Sequence, residues 1–490
     1  MSLPPRGTSA YDFSEESLPS RLSNPHHRRQ RSDVAPPPPP PRRRASHTPR
    51  QTFSHYQSNS VGSDSSETVP TDNADLDDQE SRYTVDQEAQ PSQHDGQIAQ
   101  GDKTEDGGDH SHSRPKLPLR ARLAHFTWAW YTLVMSTGGL SLLIFVQPHQ
   151  FPGLRQIGLV VYIINIILFV LVSSAMVTRF FLHPGTFKKS LTHQREGFFF
   201  PTFFLSIATI ITSTQRYTIR AMSPDDPTPP GPPGLLWLIQ AAFWVYLILT
   251  IIVAVGQYSF LFASHTFLLT NMMPTWILPI FPIMLSGTIA SVIAGTQPLS
   301  QSLPIITAGL TCQGLGVAVA FMMYSHMVGR LMQAGLPDRE HRPGLFMCVG
   351  PPAFTALAFI GLANSLPNNF DHDMDGLMET NMIRTMAIIG AGFLWALSFW
   401  WFGIAVVAVA QKPPKFFHLG WWASVFPNTG FILATISLGK EFQNEPVLWF
   451  ASVVSIFLLG AYGFVLYHHV RAVIFQDIMY PGRDEDVEDH

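Results

Sequence analysis

Charge is what this sequence has least of. Asp, Glu, Lys and Arg make up 13% of the 490 residues while hydrophobic residues make up 46%, and that charged share is about half the usual one for a soluble chain. Such a balance, held despite a long polar N-terminal stretch, implies an integral membrane protein. Cysteine is almost missing as well. Cys312 and Cys348 both lie in apolar segments, so no disulfide framework and no metal-ligand spacing is present, and they read as small buried hydrophobes. There is no Gly-rich nucleotide loop followed by Lys and Ser or Thr, and no His-Glu-x-x-His run. Ser, His and Asp occur without a local motif that marks a triad. We therefore expect no enzyme, no cofactor, no metal site and no nucleic-acid partner. A nucleotide-driven pump is also disfavoured, because no loop between apolar segments has room for its catalytic domain.

Residues 1–113 are rich in Ser, Pro, Asp, Gln and His and lack apolar periodicity. They read as a disordered cytoplasmic tail, with Pro37 to Pro41 in a proline run that is expected to be extended and no signal-peptide core. Arg42, Arg43 and Arg44 stand just before Ser46. That makes Ser46 a candidate phosphorylation site, or the cluster a contact for anionic lipid, or simply a charged patch in a solvated tail. Residues 476–490 read as a short acidic cytoplasmic tail.

Between the tails, residues 114–475 carry ten apolar segments: 126–146, 156–181, 197–216, 235–262, 273–296, 303–332, 344–366, 382–411, 419–439 and 446–473. Fifteen basic residues flank them on one side, against Arg155, Arg216, Arg220, Arg384 and Lys440, five in all, on the other. That bias places both termini in the cytoplasm. Asp371, Asp373, Asp375 and Glu379 form an acidic loop that faces outward. It lacks the closing Glu of a calcium loop and reads as a solvated cap.

The odd-numbered segments are interrupted. Pro201, Pro279 with Pro282, Pro351-Pro352 and Phe426-Pro427-Asn428-Thr429-Gly430 break successive ones; each break comes roughly 75 residues after the last, and a longer, uniform segment separates each pair. This pattern predicts an all-α membrane fold of ten helices arranged as five hairpins, quasi-fivefold, with the broken helices around a central pore. Polar residues near the breaks are the pathway candidates: Ser136 and Thr137 in the first span, Thr209, Thr212, Ser213 and Arg216 in the third, Thr288 and Ser291 in the fifth, Thr355 in the seventh, Asn428 and Thr429 in the ninth. Each hydroxyl has the alternative of bonding to its own backbone. Ser136 and Thr137, beside Gly138 and Gly139, have the alternative of tight helix packing. Arg216, ending the third span, suits a carboxylate, as Arg384 at the start of the eighth does more weakly; both also suit an interfacial, snorkelling arginine. His125 and His265 sit where membrane interfaces are expected. Phe426, a bulky apolar ring beside Pro427 and Gly430, reads either as a pore-occluding gate or as core packing.

HFTWAWYTLVMSTGG at 125–139, HPGTFKKSLTHQREGFFFPTF at 183–203, MPTWILPIFP at 273–282 and RPGLFMCVGPP at 342–352 carry a more specific signal. Over residues 120–475 the chain resembles the tellurite-resistance/dicarboxylate transporter family, which includes plant slow anion channels, and within it the fungal malic-acid transporter branch. The resemblance implies ten helices in five hairpins, a pathway within each protomer, a homotrimer, and Phe426 of WWASVFP as the constricting phenylalanine. It also implies plasma-membrane transport of malate, succinate and related C4-dicarboxylates, with protons as a further partner and membrane lipids around the helices. The sulfite-efflux branch, or another small-anion channel, is the alternative.

Overall fold

The structure, a computed structural model, describes residues 116–219, 231–367, 370–371 and 379–482. The tail 1–113 with Ser46, the arginines before it and its proline run, Asp373 and Asp375 of the acidic loop, Arg220, and residues 483–490 lie outside the described residues. Ten main α-helices follow one another: α1 (Tyr131–Val146), α2 (Leu154–Leu182), α3 (Pro201–Thr218), α4 (Pro233–Ser264), α5 (Phe281–Ile293), α6 (Leu299–Ala334), α7 (Gly350–Asn364), α8 (Thr380–Gln411), α9 (Phe426–Glu441) and α10 (Glu445–Phe475). Among the described residues, nine helical stretches are long and apolar enough to cross a membrane. The expected span 419–439 is missing from those nine because Val425 separates a 3-10 turn, Leu419–Ser424, from α9, leaving each piece short.

Burial divides the helices into two kinds. The apolar windows that contain α1, α3, α5 and α7 are 72 to 89% buried, whereas those of α2, α4, α6, α8 and α10 are 17 to 39% buried. Helices apolar all round yet exposed along most of their length, with Ile163, Val170, Phe393 and Phe457 outward, need hydrocarbon rather than water around them. The buried helices touch in a closed circuit, α1 to α3 to α5 to α7 to α9 and back to α1, and each packs on the long helix that follows it.

Every helix of the circuit is entered through a 3-10 segment: Trp128–Trp130, Glu196–Phe199, Pro274–Ile280, Arg339–Val349 and Leu419–Ser424. Four of the five α-helices then begin with proline in the first turn, Pro201, Pro282, Pro351 with Pro352, and Pro427. A proline there is helix-ready but has no N–H to give to the carbonyl four residues back, so the α-helical ladder starts at it rather than running backwards, although Phe200, Phe281 and Gly350 just before keep αR angles. The backbone groups this frees must be satisfied, and side chains do much of that. Tyr258 Oη donates to the Trp276 carbonyl (2.8 Å), Tyr324 Oη to Cys348 (2.7 Å) and Ser398 Oγ to Val349 (2.8 Å). The breaks are thus propped by neighbouring helices, and these carbonyls are already taken.

Near the same end, Arg179 of α2 and Glu196 form a buried ion pair. The guanidinium reaches both carboxylate oxygens, one at 3.2 Å, and donates to the Phe126 carbonyl at 2.7 Å. Arg342, also buried, donates to the carbonyls of Pro337 (3.2 Å) and Ala408 (2.8 Å). Each arginine ties a 3-10 segment to the end of a long helix.

Candidate transport pathway

Two cavities adjoin the circuit of buried helices. The first, about 430 Å³, is lined by all five of α1, α3, α5, α7 and α9, from Gly139, Phe354 and Phe426 to Gln147, Arg216 and Lys440. The second, about 510 Å³, is lined largely by the 3-10 segments and their approaches, including Phe198, Trp276, Met347, His341 and His418. Since each chain segment passes from its 3-10 turn into its α-helix, the junctions lie between the cavities.

Phenylalanines occupy those junctions. Phe281 is the first residue of α5, Phe426 the first of α9, and Phe354 lies one turn into α7. All three are buried and in mutual contact: Phe354 stacks on Phe426 with centroids 5.1 Å apart, and Phe281 meets Phe354 at 6.0 Å and Phe426 at 6.3 Å, both edge-on. Each ring lies over a glycine of the next helix in the circuit. A Cβ on Gly350 would come within 2.5 Å of Phe281, one on Gly430 within 2.6 Å of Phe354, and one on Gly139 within 3.2 Å of Phe426. Removing the side chain at those three positions lets the rings fill the axis.

The sequence candidates divide into two groups. Thr209, Thr212, Arg216, Thr288, Ser291, Phe426 and Thr429 line the first cavity. Ser136, Thr137, Ser213, Thr355, Asn428 and Arg384 do not. Ser136 Oγ faces the Trp422 carbonyl at 3.5 Å, Thr137 bridges Leu133 O (2.8 Å) and Tyr462 Oη (3.0 Å), and Ser213 bonds to Ser141 (3.1 Å). Thr355 donates to Pro351 O and accepts from Gln313 Nε2, both at 2.7 Å, and Asn428 Nδ2 donates to Ser424 O (2.8 Å). Arg384 Nη2 lies 3.5 Å from Leu366 O.

Hydrogen-bond direction narrows the lining group further. Thr209, Thr212 and Thr429 donate to the carbonyls of Ser206, Ala208 and Val425 at 2.8, 2.8 and 3.0 Å, and Ser291 donates to Thr288 O at 2.7 Å. A hydroxyl has one proton to give, so these four offer an anion no donor. Thr288 differs, since its buried Oγ1 has no partner. Arg216, among the described residues, has neither a hydrogen-bond nor an ion-pair partner. The first cavity is therefore a chamber with a closed aromatic floor, mostly spent hydroxyls, and a cation left free for an anionic guest.

Sequence reasoning passed over several residues here. Phe281 and Phe354 carry no local signal beyond apolarity, and their role comes from meeting across helices. Lys440 read as a flanking basic residue, and Glu441, Ser437 and Gln147 were not singled out, yet all four line the chamber.

At the second cavity, His418 caps the 3-10 turn before α9. Its Nδ1 accepts from Gly420 N–H (3.2 Å) and its Nε2–H donates to the Glu340 carbonyl. Desolvation holds its pKa down at about 4, against 6.5 ordinarily, although the Glu340 hydrogen bond opposes the shift. Glu340 in turn accepts from Lys415 and Phe416 backbone N–H groups at 3.1 and 3.2 Å, so this contact clasps the approaches to α7 and α9.

Comparison with known proteins follows the same outline. Residues 125–470 match the family model described as voltage-dependent anion channel, SLAC1. A malic acid transport protein of Schizosaccharomyces pombe is 35% identical over 376 residues, covering 76% of this chain and 84% of the relative. A putative malic acid transport protein of the same yeast is 29% identical over 378 residues, covering 76% and 86%. A sulfite efflux pump of Trichophyton rubrum is 24% identical over 364 residues, covering 72% and 93%.

Proposed function

The chain belongs to the voltage-dependent anion channel (SLAC1) family, and on that premise we propose that it moves malate and related C4-dicarboxylate anions across the plasma membrane through the axis of its buried helices. The observation that carries this reading is the chamber itself, which holds the unpaired Arg216 in a chain 35% identical to a malic acid transport protein. An anion entering it leaves water, and a free guanidinium replaces part of its hydration.

In this reading Leu419–Ser424 and α9 together form a tenth crossing. Six residues of 3-10 helix and sixteen of α-helix extend about 12 and 24 Å at about 2.0 and 1.5 Å per residue, enough for a core of about 30 Å. Ten crossings arrange as five hairpins with quasi-fivefold order, both termini in the cytoplasm, the chamber outward and the His418 cavity inward. Phe426 is the gate, and Phe281 and Phe354 hold it shut. Homotrimeric assembly follows from the resemblance. Direction of transport follows gradients and voltage: about 2.3 kcal/mol per charge per 100 mV drives an unaccompanied dianion out of a negative interior, while proton co-movement favours uptake.

Purified protein in liposomes tests this with malate, succinate, sulfite and chloride fluxes, pH and voltage being varied separately. Saturable malate flux is expected. Clear sulfite flux with no dicarboxylate movement would replace this reading with sulfite efflux.

A further inference from the structure

We propose that Lys440 is the second cation of a two-point dicarboxylate site, holding one carboxylate of the substrate while Arg216 holds the other; the inference rests on the transport reading above. The chamber's charged lining consists of Arg216, Lys440 and Glu441, among twenty-eight lining residues. Arg216 ends α3 and Lys440 ends α9, so the two cations come from different helices and face one space. Neither has a carboxylate partner in ion-pair contact among the described residues. Glu441 is turned to another task, since its Oε1 accepts from Asn364 Nδ2 at 2.6 Å.

The simpler role for Lys440 is capping. Its Nζ lies 3.4 Å from the Val146 carbonyl, and Val146 is the last residue of α1. That bond is long and employs one of three N–H donors, and the side chain remains exposed, so the ammonium can reach a guest without giving up the cap. A monoanion gains from only one of two separate cations. A four-carbon dianion engages both, and its second contact is intramolecular once the first has formed. Lys440 therefore sets selectivity for dianions over monoanions rather than affinity for anions in general, and Glu441 at the same rim weakens it.

The test compares two inhibitors of malate flux in proteoliposomes at a pH where both are fully ionised: succinate, and monomethyl succinate, which has the same carbon chain with one carboxylate masked. In the wild type, succinate is the stronger competitor. Lys440→Gln is expected to narrow the ratio of the two inhibition constants on the order of tenfold, the scale of one lost charge-assisted contact. Lys440→Arg should restore most of the ratio, and Glu441→Gln should preserve or widen it. Lys440→Met serves as a second uncharged variant should Lys440→Gln fold poorly. An unchanged ratio, or an equal loss for both inhibitors as capping alone predicts, overturns the two-point site. Absence of malate flux from the wild type overturns the transport reading itself, so the two failures are distinguishable.

Discussion

Replacing Phe426 with Ala is the most direct perturbation of the junction between the cavities. The ring is 1% exposed, stacks on Phe354 at 5.1 Å and an interplanar angle of 26°, and meets Phe281 at 6.3 Å and 77°. Aromatic pairs of this kind contribute about 0.5–1.5 kcal/mol each beyond burial. Swinging the ring away from both partners therefore costs about 1–3 kcal/mol, a barrier of roughly five- to 150-fold in rate. Phe426→Ala is expected to raise malate flux toward that factor at equal amounts of reconstituted protein. Phe354→Ala, which removes the better-stacked partner, should give a smaller rise, and Phe281→Ala the smallest. Because Phe→Ala in a packed interior costs about 3–5 kcal/mol of stability, flux is normalised to protein that elutes as a single folded species, and Phe426→Leu serves as a bulkier control. Flux at or below wild type for folded Phe426→Ala, or a larger rise from Phe281→Ala than from Phe426→Ala, would refute the three-ring gate.

Three further outcomes are expected. Gly430→Ala places a Cβ 2.6 Å from the Phe354 ring, and overpacking of this kind costs about 1–3 kcal/mol; a thermal unfolding midpoint in detergent equal to wild type would contradict it. Glu196→Gln leaves Arg179 charged and buried without its partner, a loss of about 3–5 kcal/mol, and Arg179→Met with Glu196→Met together should recover much of the lowered midpoint. As pH falls, the unfolded chain protonates His418 near 6.5 whereas the folded protein resists until about 4, so its contribution leaves stability level above pH 6.5 and lowers it between 6.5 and 4. His418→Gln should flatten that decline beside His341 and Glu340, and matching midpoint profiles for variant and wild type would argue against it.

Much of the molecule is legible in the linear order of residues, because a membrane imposes long apolar runs and a proline cannot sit in the middle of an α-helix without consequence. Low charge, alternating broken and unbroken apolar segments, and the positions of Pro201, Pro282, Pro351 and Pro427 determine the class, the helix order and where the α-helices begin. They also single out Arg216 and Phe426, which are local features: a charge at the end of an apolar run and a bulky ring beside a break. Which hydroxyls face the chamber was not readable this way. Ser136 and Thr209 look alike in sequence, and helix rotation within the circuit puts one against Trp422 and the other on the cavity wall. Nor could sequence tell that Thr209, Thr212 and Thr429 have already given their protons to backbone carbonyls.

Only the tertiary structure decided what meets what. Phe281, Phe354 and Phe426 are spread over 145 positions of chain and become one aromatic floor because three glycines on neighbouring helices make room for the rings. Lys440 looked like one more basic flank, and the closing of α9 against α1 brings it into the space that Arg216 faces. Periodicity and composition report on a residue's own helix, whereas gating and charge pairing depend on side chains from different helices reaching a common point. That information enters only when the circuit closes.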